Sequence, residues 1–335
     1  MKFPKLAAIA AAVGSLLTTG VQAENTGALT PQNSTMIELA GRAVPVLKGG
    51  LYDRYRSNPP LEVIAREQPG LDLSWFKTLT KQRVDIGFES YSPNFYYRNS
   101  RITAVFTADL DVLNQLMPEA VKQQVQPLQI WPGRGVVALT AYTYYYCDND
   151  SYNEIALSIV TNKPGSRSWG PLTLAGQSMD GDFWGYVLKL PVNTELARVR
   201  GVVGYNLPKW LTPIELQQDN QSVSYRVIDS ASGKAGVVIR GAKLADLSDE
   251  VVMAKSSFTN LSQAGELQTG FAESRQLLHA SSDAADSVTL ELGKGAFADY
   301  IRALDLGKLL KYEYVPDFQI ALYTPEPLTE FLAAE

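Results

Sequence analysis

The sequence predicts an α+β fold, mostly antiparallel β with a few helices, on three observations. Strand-like runs recur along the chain, turn residues separate most of them, and amphipathic segments of helix length are few. Alternating apolar and polar residues put every second side chain on one face of a strand, as at 84–89 and 101–106. Further runs of this kind span 135–146, 154–160, 184–190, 199–204, 222–228, 235–240 and 288–292. Turns such as Asp180-Gly181-Asp182 and Ser230-Ala231-Ser232-Gly233-Lys234 divide them. So few helical segments cannot supply the crossovers of a doubly wound parallel sheet.

The beginning of the chain reads differently. Lys2 and Lys5 give a positive start, 6–17 an apolar stretch, and Val21-Gln22-Ala23 a small-residue cleavage site, so 1–23 is expected to be a signal peptide. That apolar stretch is too short to span a bilayer, and no later one is longer. The expectation is an exported protein, periplasmic or secreted, with no membrane segment after signal cleavage. Residues 24–86 are expected to form a helical N-terminal arm. Within it, 35–47 has helical spacing with Ile37, Ala40 and Val44 on one face; Gly49-Gly50 and Pro59-Pro60 interrupt; 61–66 and 73–79 suit short helices. Trp75, Phe76 and Leu79 require a body to pack on. That body is expected to be one domain over 87–330. Its one clear early helix begins at the acidic cap Asp109 and ends near Met117-Pro118.

Composition excludes several classes. A formal charge of -5 with no Lys/Arg cluster argues against nucleic acid as a partner. Cys147 is the only cysteine, so no intramolecular disulfide forms, and beside Tyr144-Tyr145-Tyr146 it reads as a buried free thiol. His279 is the only histidine and lies in a polar stretch, which suggests a surface position. A His/Cys zinc site and a Ser-His-Asp triad are thereby disfavoured. Neither a dinucleotide fingerprint nor a phosphate-binding loop is present.

Two short motifs carry the chemistry. In Gly201-Val202-Val203-Gly204-Tyr205-Asn206-Leu207-Pro208-Lys209-Trp210, one lysine stands between a proline and a tryptophan after small and apolar residues. Tyr152-Asn153-Glu154-Ile155-Ala156-Leu157 places a carboxylate in apolar company. Read alone, Lys209 is a solvated residue leaving a strand, and Glu154 closes a turn with a surface ion pair. Read together, they suggest an amine and a carboxylate sharing a pocket. A free lysine has a pKa of about 10.4, and full burial lowers such a group by up to about 3–5 units. A neutral amine attacks ketones and forms a Schiff base.

With Thr107-Ala108-Asp109-Leu110-Asp111-Val112-Leu113 leading to Met117-Pro118-Glu119, these motifs in this order resemble the acetoacetate decarboxylase superfamily over 87–325. The resemblance implies a barrel-like body enclosing a small-molecule cavity. It also implies that Lys209 forms the Schiff base, that Glu154 lies in the active site, and that Arg98 or Arg101 binds the substrate carboxylate. Leu207 and Trp210 would line the pocket. No cofactor or metal is implied; an oligomer is. The expected activity is a carbon–carbon lyase, a decarboxylase acting on a small β-keto acid. Four positions depart from that family: Trp210 replaces its second lysine, Val202 and Val203 turn its Gly-Arg-Glu into Gly201-Val202-Val203, and Leu207 replaces a tyrosine. Two alternatives therefore stand beside decarboxylation. One is a Schiff-base aldolase or dehydratase. The other is an exported, non-catalytic binding protein for a small carbonyl or apolar ligand, since fold does not dictate function.

Overall fold

Residues 29–334 are described by a computed structural model of the protein. The expected signal peptide lies outside them. Ser34–Leu39 (β1) and Arg42–Leu47 (β2) form an antiparallel hairpin about Ala40 and Gly41, both at positive φ (52° and 69°). Two consecutive residues of that kind make the tight turn whose twist suits paired strands. The helix expected over 35–47 is therefore a hairpin. Its apolar residues are buried with a period of two, Ile37 and Leu39 on one strand and Val44 and Val46 on the other. The β-branched members favour that extended form.

Leu51–Tyr55 (α1) and Leu61–Glu67 (α2) follow. The helix expected over 73–79 is a single 3₁₀ turn, Phe76–Thr78. Gln82–Asp85 (β3) and Glu89–Ser92 (β4) then pair across Gly87. Residues 29–92 thus form two hairpins and two short helices, so the arm with the strand that follows it is not a run of helices. Phe76, Leu73 and Ile64 pack on Phe95 and Tyr97 of the main body.

The body begins with Asn94–Asp109 (β5), which runs into Leu110–Leu116 (α3). Asp109 caps that helix as expected, its side chain accepting from Val112 N–H at 3.0 Å. Next come Glu119–Lys122 (α4), Arg134–Cys147 (β6), Tyr152–Val160 (β7), Pro171–Asp180 (α5) and Asp182–Val192 (β8). Glu195–Val199 (α6) continues into a π-helical turn, Arg200–Gly204. A strand was expected over 199–204. Thr194 caps α6 instead, and Leu196, Val199 and Val203 share one helical face against β1 and β2.

Lys209–Leu211 (β9), Ile214–Gln218 (β10), Ser222–Asp229 (β11) and Lys234–Ala242 (β12) follow, then Val252–Leu261 (β13) and Leu267–Ser282 (β14). Val288–Leu292 (β15), Ala296–Ala303 (α7), Leu309–Leu322 (β16), Glu326–Pro327 (β17) and Leu328–Ala334 (α8) complete the described chain. Sequence patterning does not single out β13, β14, β16, α5 or α7. β14 shows why: its Glu273 and Arg275 are satisfied by Tyr323 and Asp72, so the strand needs no apolar alternation.

Seven strands close a barrel in the order β13-β14-β16-β5-β6-β7-β8 and back to β13. Every neighbouring pair is antiparallel except β8 with β13. The short β9 adds to β8 in parallel. A second antiparallel sheet, β10-β11-β12-β15, covers the outside of the barrel. The main core fills the space between them: Ile102, Leu139, Ile155 and Leu157 from the barrel meet Tyr225, Val227, Val237 and Ile239. Burying each such side chain contributes about 1.5–3 kcal/mol. The fold is α+β, as the strand pattern predicts.

Candidate active site

Pleating decides which residues face the barrel interior. Ile155 and Leu157 of β7 enter the core between the sheets. Their neighbours Glu154 and Ala156 must point the other way, inward. The same holds for Tyr142 on β6, which lies directly opposite Glu154, and for Arg101 and Thr103 on β5, which alternate with core residue Ile102. Pairing of β9 with β8 sets Lys209 beside Leu190, whose core contacts include Ala156.

Lys209 and Glu154 meet in that interior. Nζ of Lys209 lies 2.5 Å from Glu154 Oε2, with each side chain only 8% exposed. The Tyr144 hydroxyl donates to Glu154 Oε1 at 3.1 Å, and Nζ stands 5.7 Å from the centroid of the Tyr152 ring. Four tyrosines enclose the pair. Tyr142 stacks on Tyr144 with an interplanar angle of 11°, Tyr144 contacts Tyr96 and Tyr152, and the last two share a hydrogen bond of 3.1 Å. Burial, reinforced by the Glu154 charge, pushes the Tyr144 phenol well above its ordinary range. It therefore stays protonated and acts as a donor.

Each residue of the Tyr152-Asn153-Glu154 motif has its own task. Tyr152 supplies the ring beneath the amine and Glu154 the counter-charge. Asn153 points outward and donates to the Ile214 carbonyl at 2.9 Å, fastening β7 to the second sheet. Leu207 is buried with Leu190 and Tyr205 in the same apolar cluster as Ala156, and its carbonyl accepts from Lys209 N–H at 2.8 Å.

The other expected site residues are placed differently. Arg101 faces the interior, but its guanidinium donates to Glu313 Oε2 at 3.0 Å and to the Thr103 hydroxyl at 2.6 Å. Lys311 holds the other oxygen of Glu313 at 2.8 Å. Burial alone would push the Glu313 carboxyl up; the Arg101 and Lys311 charges outweigh it and bring it down to about 2. Arg98 does not join the cluster. It lies over the ring of Tyr145, whose hydroxyl reaches Ser100 and Gln218 on the outer side. Trp210 is also outside. Adjacent strand residues face opposite ways, so its indole packs edge-on to Phe297 at 5.3 Å and lines an outer cleft of about 440 Å³ with Lys189 and Tyr300.

Sequence reasoning singles out neither Tyr96 and Glu313 nor Tyr142 and Tyr144 as site residues. The signal for the latter pair was their alternation on a strand beside the motif strand. Cys147 is buried, its Sγ–H donating to the Asp150 carbonyl at 2.8 Å, and burial pushes the thiol well up. It is an unreactive core group. His279 sits on β14, half-buried, with Nε2 3.0 Å from the Glu250 carbonyl. Among the described residues no group of three His, Cys, Asp or Glu converges.

No protein-family model matches the chain, and no curated protein sequence matches it. Solved structures do. Acetoacetate decarboxylase from Legionella pneumophila subsp. pneumophila str. Philadelphia 1 superposes with a TM-score of 0.50 at 11% identity, covering 70% of this chain and 87% of that one. A second acetoacetate decarboxylase structure gives 0.48 at 13% identity, with 70% and 89% covered. The enduracididine biosynthesis enzyme MppR, complexed with the condensation product of pyruvate and imidazole 4-carboxaldehyde, gives 0.49 at 11%, with 71% and 90% covered. At these identities the likeness is one of fold: the chain has the acetoacetate decarboxylase fold.

Proposed function

We propose that the protein is an exported Schiff-base enzyme of the acetoacetate decarboxylase superfamily, with Lys209 as nucleophile and a small β-keto acid as substrate. One observation carries the reading: a lysine amine 2.5 Å from a carboxylate, both nearly sealed from water inside a barrel of this fold. A buried ion pair is a poor device for stability alone, since desolvating two charges offsets most of their attraction.

The chemistry follows from the contacts. Glu154 takes a proton from the Lys209 ammonium, and the free amine adds to the ketone. Loss of water leaves an iminium ion. The bond from the α-carbon to the carboxylate then breaks, its electron pair moves into the iminium, and carbon dioxide departs from an enamine. Glu154, having given up its first proton in the loss of water, is reprotonated from solvent and delivers that proton to the enamine carbon; hydrolysis then releases the ketone and restores the lysine ammonium. Tyr144 steadies Glu154 through its hydrogen bond.

A second reading is favoured by the state of Arg101. Glu313 already occupies that guanidinium, Arg98 is elsewhere, and Trp210 brings no cation to the interior. A substrate carboxylate must therefore compete with Glu313. Aldol or dehydration chemistry on the same iminium needs no carboxylate to leave.

Trapping separates these readings. The purified protein is incubated with acetoacetate or with pyruvate, reduced with borohydride, and mapped by mass spectrometry. An adduct on the peptide containing Lys209, lost in Lys209→Arg, supports the enzyme. Carbon dioxide release from acetoacetate supports decarboxylation, and an adduct without release supports the second reading. A protein that binds either compound without an adduct is a binding protein, and the enzymatic reading fails.

A further inference from the structure

The π-helical turn ahead of the lysine has two neighbouring residues that face opposite ways, and each has an unusual environment. Gly201 lies against the aliphatic stem of Lys209: a Cβ at Gly201 would overlap Lys209 Cδ and Cε. The same backbone is hydrogen-bonded toward the lysine in two steps, Leu207 N–H to the Gly201 carbonyl at 3.0 Å and Lys209 N–H to the Leu207 carbonyl at 2.8 Å. The stem therefore rests on bare backbone, and its amine is aimed at Glu154.

Arg200 reaches into the N-terminal arm. It is 2% exposed. Its guanidinium donates to the Tyr52 hydroxyl on α1 at 3.3 Å and to Ser90 Oγ on β4 at 3.0 Å, between the rings of Tyr52 and Phe88 at 5.3 Å each. No ion pair of Arg200 is present among the described residues. Burying a cation among neutral partners costs several kcal/mol that an apolar side chain of similar size would not. Stability is thus a poor reason for an arginine here. Fixing the turn in one orientation is a better one, because a guanidinium with donors in a rigid fork sets direction as well as contact.

We propose that Gly201 and Arg200 are positioning residues for Lys209. Gly201 is the surface on which the lysine stem lies, and Arg200 ties that surface to α1 and β4, so the N-terminal arm is a working part of the active site. Any catalytic consequence rests on the function proposed above; the geometric claim does not.

The test uses the full chain and two readouts. Purified protein is acetylated with an N-hydroxysuccinimide ester, and labelling of Lys209 is measured by mass spectrometry relative to the exposed Lys234 and Lys294. Borohydride trapping with acetoacetate is measured in parallel. Gly201→Ala should raise the Lys209 labelling ratio about tenfold or more and cut trapping by a similar factor, with circular dichroism unchanged. Tyr52→Phe, which removes one partner of Arg200 without leaving a large cavity, should raise the ratio two- to threefold. Arg200→Lys should sit closer to the parent than Arg200→Met does. A general loosening would raise labelling at all buried lysines, Lys81 included, and would count against positioning. Should Gly201→Ala fail to fold, the Tyr52 and Arg200 variants decide. An unchanged ratio across the folded variants overturns the proposal. If the parent protein is never trapped, the proposed function falls while the labelling ratios still settle the geometry.

Discussion

At the scale of single residues, the interior of the barrel is governed by two charge clusters lying on the same face of the sheet. Lys209 with Glu154 is balanced one to one, and Tyr144 satisfies the remaining carboxylate oxygen. Arg101 and Lys311 with Glu313 are two cations on one anion. The second cluster makes a pH prediction. The Glu313 carboxyl is brought from its ordinary 4.5 to about 2 in the folded state. A depressed carboxylate contributes stability that is complete above its unfolded value and is lost as pH falls through its folded value. Unfolding free energy should therefore decline between about pH 4.5 and 2. Glu313→Gln should flatten that decline and lower stability at pH 7 by about 3 kcal/mol, since the buried Arg101 and the partly exposed Lys311 lose their anion. Urea titrations of both proteins across this range check it, and parallel curves would refute it.

Secondary elements show where local chemistry prevails. Asp109 holds the start of α3 because its carboxylate accepts from the Val112 N–H, which has no partner within the helix. Asp109→Ala should cost about 1 kcal/mol, measured by denaturant titration, with the barrel otherwise intact. α6 and the turn behind it show the opposite case. Within 199–204, Val199, Val202 and Val203 are β-branched, and by intrinsic preference they suit a strand. Contact with the hairpin of β1 and β2 across Leu196, Val199 and Val203 makes them helical. That switch puts Gly201 behind the lysine; a strand over 199–204 would not.

For the molecule as a whole, the arm is fastened to the barrel through another buried ion pair. Lys81 Nζ lies 2.5 Å from Asp148 Oδ2, and Asn94, Phe95 N–H and the Tyr97 hydroxyl donate to the same carboxylate. Burial pushes the Asp148 carboxyl up and the Lys81 amine down, each opposed by its partner. Lys81→Met should destabilise the protein by about 3–5 kcal/mol, because Asp148 is left buried without its counter-charge. The double variant Lys81→Met with Asp148→Asn should recover part of that loss. Limited proteolysis would show the arm cut faster in the single variant. Equal protection in all three proteins would mean that the arm is held by its apolar contacts alone.

Much of the architecture can be read from residue order. Alternation marks β5 to β8, β11, β12 and β15, because each has one face in the apolar core between the sheets. The motif around Glu154 and the Pro208-Lys209 step mark the centre of the candidate site, since a carboxylate and an amine in apolar company need each other. Strands such as β13 and β14 are hidden because their polar side chains are satisfied by neighbours far along the chain. Trp210 and Arg98 illustrate the remaining gap: one stands next to the lysine and the other close to Arg101, yet pleat parity and a bulge in β5 turn both outward. Composition and local spacing settle which residues are chemically capable and roughly where strands run. Barrel closure alone determines which of them meet, because it selects one face of every strand and brings positions 55 residues apart within hydrogen-bonding distance.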